Sequence, residues 1–331
     1  MRFTPEEEER LLKKLHLELG STVRAALVDD QVVEICVNDD GFVRVERLGK
    51  GFEVTRERFT PQRVVGLLKT IATLRDQSIG RSNPVLESWI PGSGARIEGV
   101  LSSISRHPVF SIRRHSRVIY TLSDFVAQGR MSEAARDALR VAVTERLNVL
   151  VAGGTGTGKT SLVNALLREM EEQKPEVRCG ILEKTREIQS TSPNHFQLET
   201  DSYGTDLERL LSVSLRMRPD RIVVGEVRGP EALTLIRAWN TGHPGGVSTL
   251  HANSATGALR RLEQLASHGA SERTLRGEIG ETVGVVAYLE RDENGPYVRS
   301  VLRVHEHDGD RYVVEDMSRE DALLTPKERA A

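Results

Sequence analysis

The chain has 331 residues, enough for about two domains of roughly 150 residues each. Its 46 lysines and arginines against 48 aspartates and glutamates leave a formal charge of −2, which argues against a chain built mainly to bind DNA or RNA. It has no apolar run near the roughly 20 residues of a membrane span, no secretory signal pattern, and only two cysteines, so we expect a cytoplasmic α/β protein.

The first part of the chain mixes helical and strand-like patterns. Thr4, Pro5 and Glu7 predict a capped helix start, leucines follow at helical spacing, and Gly20 is expected to end the helix. The other expected elements are a β-hairpin of strands over 32–37 and 42–45, a helix that begins at Thr60, and strands near 96–101 and 109–113. These patterns predict a small α+β domain over residues 1–117.

The pattern changes in the second part. Periodicity weakens over residues 118–131, which we interpret as a linker, and Ser132 then caps a helix. From there apolar runs without polar alternation, such as 222–224, are typical of strands buried on both faces of a mostly parallel sheet. The expected strands lie near 149–152, 178–182, 221–227, 247–251 and 283–289, followed by a hairpin over 298–304 and 311–314. Residues 132–331 are therefore predicted to form an α/β domain.

A glycine-rich segment lies between the first of these strands and the next helix. Its sequence matches the phosphate-binding pattern G-x-x-x-x-G-K-[ST]. The predicted nucleotide-binding residues are Gly153, Gly154, Thr155, Gly156, Thr157, Gly158, Lys159, Thr160 and Ser161. Lys159 would place its charge on the β- and γ-phosphates, and the Thr160 hydroxyl would ligate Mg²⁺. The segment therefore predicts ATP and Mg²⁺ as ligands.

Two carboxylates and a histidine follow predicted central strands. Glu226 follows the run 222–225, Glu183 ends the run 180–182, and His251 ends the run 247–250. The carboxyl ends of parallel strands meet at the crevice where phosphates bind. We therefore expect Glu226 to orient the attacking water, with Glu183 as the next candidate, and His251 to sense the γ-phosphate. His243, in a glycine-containing loop, is a second candidate histidine.

These motifs together resemble those of the type II/IV secretion-system ATPase family. Residues 215–221 with 225–228 resemble its atypical Walker B region, and residues 241–246 with 248–254 resemble its His box. The short length, the N-terminal domain and the lack of a tetracysteine zinc site favour the conjugal-transfer, TrbB-like branch. Pilus-assembly ATPases of the Tad and type IV pilus kind are the nearest alternative.

The resemblance implies a hexameric ring of RecA-like P-loop ATPase domains, each preceded by the smaller N-terminal domain. It also implies docking on inner-membrane secretion-complex proteins, so that the chain is cytoplasmic and peripheral to the inner membrane. In such a motor Mg-ATP hydrolysis drives pilus biogenesis or substrate transfer through a type IV secretion system. No strong sequence-specific binding of nucleic acid is expected.

The resemblance also assigns roles to residues. Lys159 and Thr160 correspond to the Walker A pair, Glu226 to the Walker B glutamate and His251 to the His-box histidine. Glu183 and Glu187 fall in the segment called the Asp box. There the aspartate that usually follows the first glutamate is replaced by Lys184, which puts the role of that second acidic position in question.

Arginines of the first domain are the last group of candidates. We expect Arg96 and Arg113 to reach the γ-phosphate and close the first domain over the ATPase domain, because the family places N-terminal arginines at this site. Arg106 and Arg114 are near enough in sequence to be the true contacts. A cation on the γ-phosphate favours the closed state while ATP is bound and loses that effect once phosphate leaves.

Three other classes of function remain open at this point. A RecA-like DNA motor would need a basic face, which the charge of −2 disfavours. A nucleotide switch without turnover is favoured only by Lys184. A small-molecule kinase would need an acceptor-binding segment, and we find none in the sequence.

Overall fold

The computed structural model describes residues 3–47, 50–114, 119–201, 204–267, 271–309 and 311–319. The chain divides into two compact units, Met1–Val118 and Ile119–Ala331.

The first unit is an α+β fold with one antiparallel sheet. Its elements are α1 (Pro5–Val28), β1 (Val32–Val37), β2 (Phe42–Arg47), β3 (Gly51–Arg58), α2 (Pro61–Leu74), β4 (Val85–Trp89), β5 (Arg96–Val100) and β6 (Val109–Arg113). The strand order is β3-β2-β1-β6-β5-β4. Both helices contribute apolar side chains to one core with the sheet, in which Val23, Ile35, Leu68 and Ile97 are fully buried.

Helix α1 bends where the sequence predicted that it would end. Gly20 has a φ of +74°, which a residue with a side chain rarely adopts, but the helix resumes and continues to Val28. A carboxylate from β3 fixes this bend, since Glu57 accepts a hydrogen bond from the Thr22 N–H at 3.0 Å and pairs with Arg63 at 2.7 Å. The second segment of α1 is therefore capped by a residue that is distant in sequence.

The second unit alternates strands and helices. Its elements are α3 (Leu122–Ala127), α4 (Glu133–Thr144), β7 (Asn148–Gly153), α5 (Lys159–Gln173), β8 (Cys179–Glu183), β9 (His195–Glu199), α6 (Leu207–Ser214), a 3-10 turn (Leu215–Met217), β10 (Arg221–Val224), α7 (Glu231–Asn240), β11 (Val247–Leu250), α8 (Ala255–Ala266), α9 (Glu272–Thr282), β12 (Val283–Asp292), β13 (Gly295–His307) and β14 (Tyr312–Asp316).

These strands form one mixed sheet in the order β14-β13-β12-β7-β11-β10-β8-β9. The six strands from β12 to β9 are parallel to their neighbours, while β13 and β14 pair antiparallel at one edge. Strands β7, β8, β10 and β11 are buried along their whole length between two apolar clusters. The fold class is therefore α/β, preceded by the α+β unit, as the sequence predicted.

Of the segment interpreted as a linker, 118–131, residues 119–131 belong to the second unit. Its α3 starts with a capping box between Thr121 and Asp124, and Leu122 and Phe125 are buried among the side chains of α4 and α5. A single short helix with two buried side chains gives too weak a period to be recognised in the sequence. Residues 115–118, where the predicted domain boundary falls, lie outside the described residues.

None of the helices that the structure describes combines the length and apolar character needed to cross a membrane.

Candidate functional site

The glycine-rich loop joins the central strand β7 to α5, as the sequence predicted. Gly156 and Gly158 have φ values of +71° and +82°, and Gly158 is the residue that precedes the first turn of α5. Backbone in this left-handed region folds the loop into a nest of N–H groups, and the helix N-terminus adds a positive partial charge. The loop therefore has the backbone of an anion-binding site.

The side chains of the loop complete this arrangement. Lys159 is buried, and its Nζ donates to the carbonyl oxygens of Gly153 at 3.1 Å and Gly154 at 2.7 Å. Thr157 closes the turn, because its Oγ1 donates to the Gly154 carbonyl at 2.9 Å. Thr155 is exposed at the tip of the loop. The ammonium group is thus held beside the loop's own backbone, within reach of an anion bound there.

Thr160 lies in the first turn of α5, followed by the half-buried Ser161. The Thr160 Oγ1 is 3.5 Å from Oε2 of Glu187. No group of three acidic, histidine or cysteine side chains able to hold a metal by itself occurs in the described part of the chain. A hydroxyl beside one carboxylate fits Mg²⁺ that arrives with a nucleotide, because Mg²⁺ keeps several waters and takes phosphate oxygens as ligands.

Glu226 lies just beyond the end of β10. Its Oε1 is buried, lies 3.1 Å from His251 Nε2, and accepts no hydrogen bond from the described residues. Its Oε2 accepts from Arg228 at 2.8 Å. Burial raises the pKa of Glu226. The hydrogen bond from Arg228 and the charges of Arg228, His251 and Lys159 lower this pKa by a larger amount, so it lies below the usual value for glutamate. The carboxylate is therefore ionised near neutral pH.

His251 follows the end of β11, and its side chain is about half exposed. Burial and the charge of Lys159 lower its pKa, against a raising effect of Glu226. Since the ordinary pKa of histidine is about 6.5, the imidazole is neutral at pH 7. Lys159 follows β7, which is parallel to β11, and β11 is parallel to β10. Lys159, His251 and Glu226 therefore all follow strands that end at the same, carboxyl edge of the sheet.

Glu183 has a different environment from Glu226. Its Oε1 accepts from the N–H groups of Glu187 and Ile188, both at 2.8 Å, and its Oε2 accepts from Gln197 at 2.6 Å. Burial raises the pKa of Glu183 to about 7, although these hydrogen bonds lower it. The carboxylate therefore anchors the start of the segment that carries Glu187 towards Thr160. Lys184 is exposed, and its carbonyl accepts from Thr200.

The two candidate histidines lie at opposite ends of the sheet. His251 follows β11 at the carboxyl edge, whereas His243 precedes β11, and its Nδ1 is 2.8 Å from the carbonyl oxygen of Pro219, just before β10. Parallel strands present their amino and carboxyl ends on opposite edges of the sheet. The expectation that His243 lies near the phosphate loop is therefore wrong.

The arginine candidates lie in the first unit. Arg96 on β5 and Arg113 on β6 are directly opposite in the antiparallel ladder, so their side chains leave the same face of the sheet. Arg114 is engaged elsewhere, since its side chain is 6% exposed and contacts Asp30 at 3.3 Å and the Val32 carbonyl at 3.3 Å. Arg114 therefore serves the fold of its own unit.

One structural neighbour of the loop was not predicted from the sequence. The hairpin of β12 and β13 lies against it, and Arg291 Nη1 donates to the Gly156 carbonyl at 3.3 Å. The only signal for this contact is the parallel pairing of β12 with β7, in which Leu289 is the partner of Gly153. Such pairing cannot be read from one sequence.

Known proteins are similar to this chain in sequence and in fold. Residues 90–290 match the family described as type II/IV secretion system protein. The chain is 43% identical to the probable conjugal transfer protein TrbB of Sinorhizobium fredii, over 92% of this chain and 93% of that one. It is 42% identical to the conjugal transfer protein TrbB of Rhizobium radiobacter, over 92% and 94%.

A solved structure supports the fold. The X-ray structure of the Legionella pneumophila ATPase DotB aligns with a TM-score of 0.61 at 20% identity, over 90% of this chain and 80% of that one. The match of the family model to more than half of the residues agrees with the TrbB relatives and with the motifs on the carboxyl edge of the sheet. This chain therefore belongs to the type II/IV secretion system protein family.

Proposed function

We propose that this chain is a RecA-like motor ATPase of conjugal transfer that couples Mg-ATP hydrolysis to pilus biogenesis or substrate transfer through a type IV secretion system. One observation carries the proposal. The buried Glu226 Oε1, which accepts no hydrogen bond from the described residues, lies 3.1 Å from His251 at the same edge of the sheet as Lys159. A buried acceptor of this kind suits a water molecule that must be oriented for attack.

Each residue of the site has a separate role in the proposed reaction. The loop 153–161 holds the phosphates through backbone N–H groups, and Lys159 neutralises charge on the β- and γ-phosphates. Thr160, with Glu187 nearby, would hold Mg²⁺, which when bound neutralises the charge that develops on the phosphate oxygens. Glu226 orients the water and accepts its proton, as an ionised carboxylate can. The neutral His251 donates a hydrogen bond towards the γ-phosphate.

The arginines of the first unit belong to the same proposal. Arg96 and Arg113 present two guanidinium groups from one face of the sheet, an arrangement that suits a phosphate. Contact with the γ-phosphate would favour the closed state only while ATP is bound. Arg96→Ala and Arg113→Ala are each expected to slow ATP hydrolysis by ~10³-fold, the size of such arginine effects. Unchanged turnover in both variants would remove them from the mechanism.

Membership of the family supports a proposal about assembly and location. The TrbB relatives are named as conjugal transfer proteins. We infer a homo-hexamer that works in the cytoplasm, peripheral to the inner membrane, on proteins of the secretion complex. The mass of the particle with and without ATP tests this assembly, and a ring-sized species is expected.

The direct test separates binding of ATP from its hydrolysis. Lys159→Ala should lose both. Glu226→Gln keeps the shape but not the charge, so it should bind ATP and hydrolyse it slower by ~10²-fold or more. Glu199→Gln is the matched control, since Glu199 ends β9, which is separated from β10 by one strand of the same sheet. It should behave as wild type in both nucleotide binding and steady-state phosphate release.

Two outcomes would overturn the proposal. Wild-type hydrolysis in Lys159→Ala would remove the loop from the mechanism. A wild-type chain that binds ATP but releases no phosphate, alone or with its secretion partners, would instead identify a nucleotide switch.

A further inference from the structure

The hairpin of β12 and β13 forms a wall beside the phosphate loop. A side chain added at Gly153 would lie 2.5 Å from the backbone carbonyl oxygen of Leu289, and one added at Gly158 would lie 3.5 Å from Pro296. The loop is thus packed against the end of one strand of the hairpin and the start of the next. A charged side chain near the end of β12 or the start of β13 therefore lies close to the phosphate loop.

Arg291 is that charged group. It is exposed at the end of β12, and its Nη1 donates to the Gly156 carbonyl at 3.3 Å, a long hydrogen bond. Within the described ranges no carboxylate pairs with it, whereas Arg299 on the same hairpin is 3.9 Å from Glu290. The Arg291 guanidinium therefore contacts the loop and forms no ion pair with a described carboxylate, although Glu290 and Asp292 flank it in the sequence.

We propose that Arg291 binds the α- or β-phosphate of the bound nucleotide, which adds a residue to the site and rests on the proposed function. The N–H groups of such a loop hold the α- and β-phosphates, while the lysine reaches the β- and γ-phosphates. Arg291 contacts the middle of the loop through Gly156. Its long bond to a neutral carbonyl is weaker than a bond to a phosphate oxygen, so the guanidinium exchanges one acceptor for the other when nucleotide binds.

The test is a series of dissociation constants for MgATP, MgADP and MgGDP, measured with fluorescent nucleotide analogues on the full chain. Arg291→Ala should weaken all three by about tenfold, because the lost contact is to phosphates that all three share. Arg291→Lys should recover part of this loss. Arg299→Ala is the matched control on the same hairpin and should bind all three as wild type does.

Each outcome decides a separate point. Wild-type binding by Arg291→Ala overturns the inference and leaves the proposed function intact. Loss of MgATP binding alone would place the arginine on the γ-phosphate, and a changed preference between MgADP and MgGDP would place it on the base; both contradict the inference. A wild-type chain that binds no nucleotide overturns the proposed function, and the inference with it. Because Arg291 is exposed, the melting temperature of Arg291→Ala should match that of the wild type.

Discussion

The most informative single change to the buried part of the site is Glu183→Ala. It removes the acceptor of three hydrogen bonds, from the N–H groups of Glu187 and Ile188 and from the Gln197 amide. Each buried donor left unsatisfied costs about 1–3 kcal/mol. Some of these donors can be solvated by relaxation of the segment, so we expect a loss of about 3–5 kcal/mol, out of a typical total of about 5–15 kcal/mol.

The same change should affect hydrolysis through Glu187. Glu183 fixes the start of the segment that brings Glu187 to 3.5 Å from the Thr160 hydroxyl. We therefore expect Glu183→Ala to raise the Mg²⁺ concentration needed for half-maximal ATPase activity. Glu187→Ala should raise it equally, with less than about 1 kcal/mol of lost stability, since its carboxylate is only half buried.

The double variant completes the experiment. Urea unfolding measures stability, and phosphate release against Mg²⁺ concentration measures the effect on the site. If Glu183 acts through Glu187, adding Glu183→Ala to Glu187→Ala should change stability but not the Mg²⁺ requirement or the turnover. A further loss of turnover in the double variant would refute the reasoning and make Glu183 a participant in the reaction.

Two further predictions concern pH and packing. Burial raises the pKa of Glu183 from 4.5 to about 7, so protonation of Glu183 stabilises the folded state below pH 4.5, and this stabilisation is lost as the pH rises through 7. The free energy of unfolding of the wild type, measured in urea, should therefore fall by up to about 3 kcal/mol between pH 4.5 and 8. Glu183→Ala should not show this fall. Gly246→Ala should cost more than about 3 kcal/mol in urea unfolding, because the new methyl would lie 2.4 Å from the backbone oxygen of Ile222, whereas Gly277→Ala, in an open position of α9, should gain about 0.5–1 kcal/mol. A destabilised Gly277→Ala or a neutral Gly246→Ala would contradict the packing described.

Local signals in the sequence predicted much of the fold. The capping box of Thr4 and Glu7 is confirmed by its two reciprocal hydrogen bonds, at 2.8 and 3.2 Å. The strand before the phosphate loop and the helix after it are also where the sequence placed them. These features depend on neighbours within a few residues, which is the range that a sequence pattern can report.

Elements at the edges of the fold escaped prediction. Strand β3 is exposed along most of its length, and β9 is an edge strand whose residues are half-buried or exposed. Each contains only two alternating apolar residues, Phe52 and Val54 in β3 and Phe196 and Leu198 in β9, and an alternation this short does not identify a strand. Helix α9 buries few apolar side chains, among them Leu275 and Ile279. Contacts with neighbouring elements, not the patterns of their own sequences, determine where these two strands and this helix form.

The functional site likewise combines features that the sequence predicts with features that it does not. The position of Glu226 and His251 at one edge of the sheet follows from their place after apolar strands, and the sequence predicted it. The approach of Arg291 to Gly156, across 135 residues, depends on strand order, which one sequence does not specify. The three donors around Glu183 also come from tertiary packing, which one sequence does not show, and the catalytic role of Glu183 stays a prediction.

The position of β12 in the sheet has a consequence for synthesis of the chain. Strand β7 is flanked by β11 on one side and by β12 on the other, and β12 is made about 130 residues after the phosphate loop. Until residues 283–292 leave the ribosome, β7 has an open edge whose N–H and C=O groups can pair with a strand of another chain. A nascent or truncated chain that ends before β12 should therefore aggregate through β7, and the phosphate loop should acquire its final shape only after β12 has been translated.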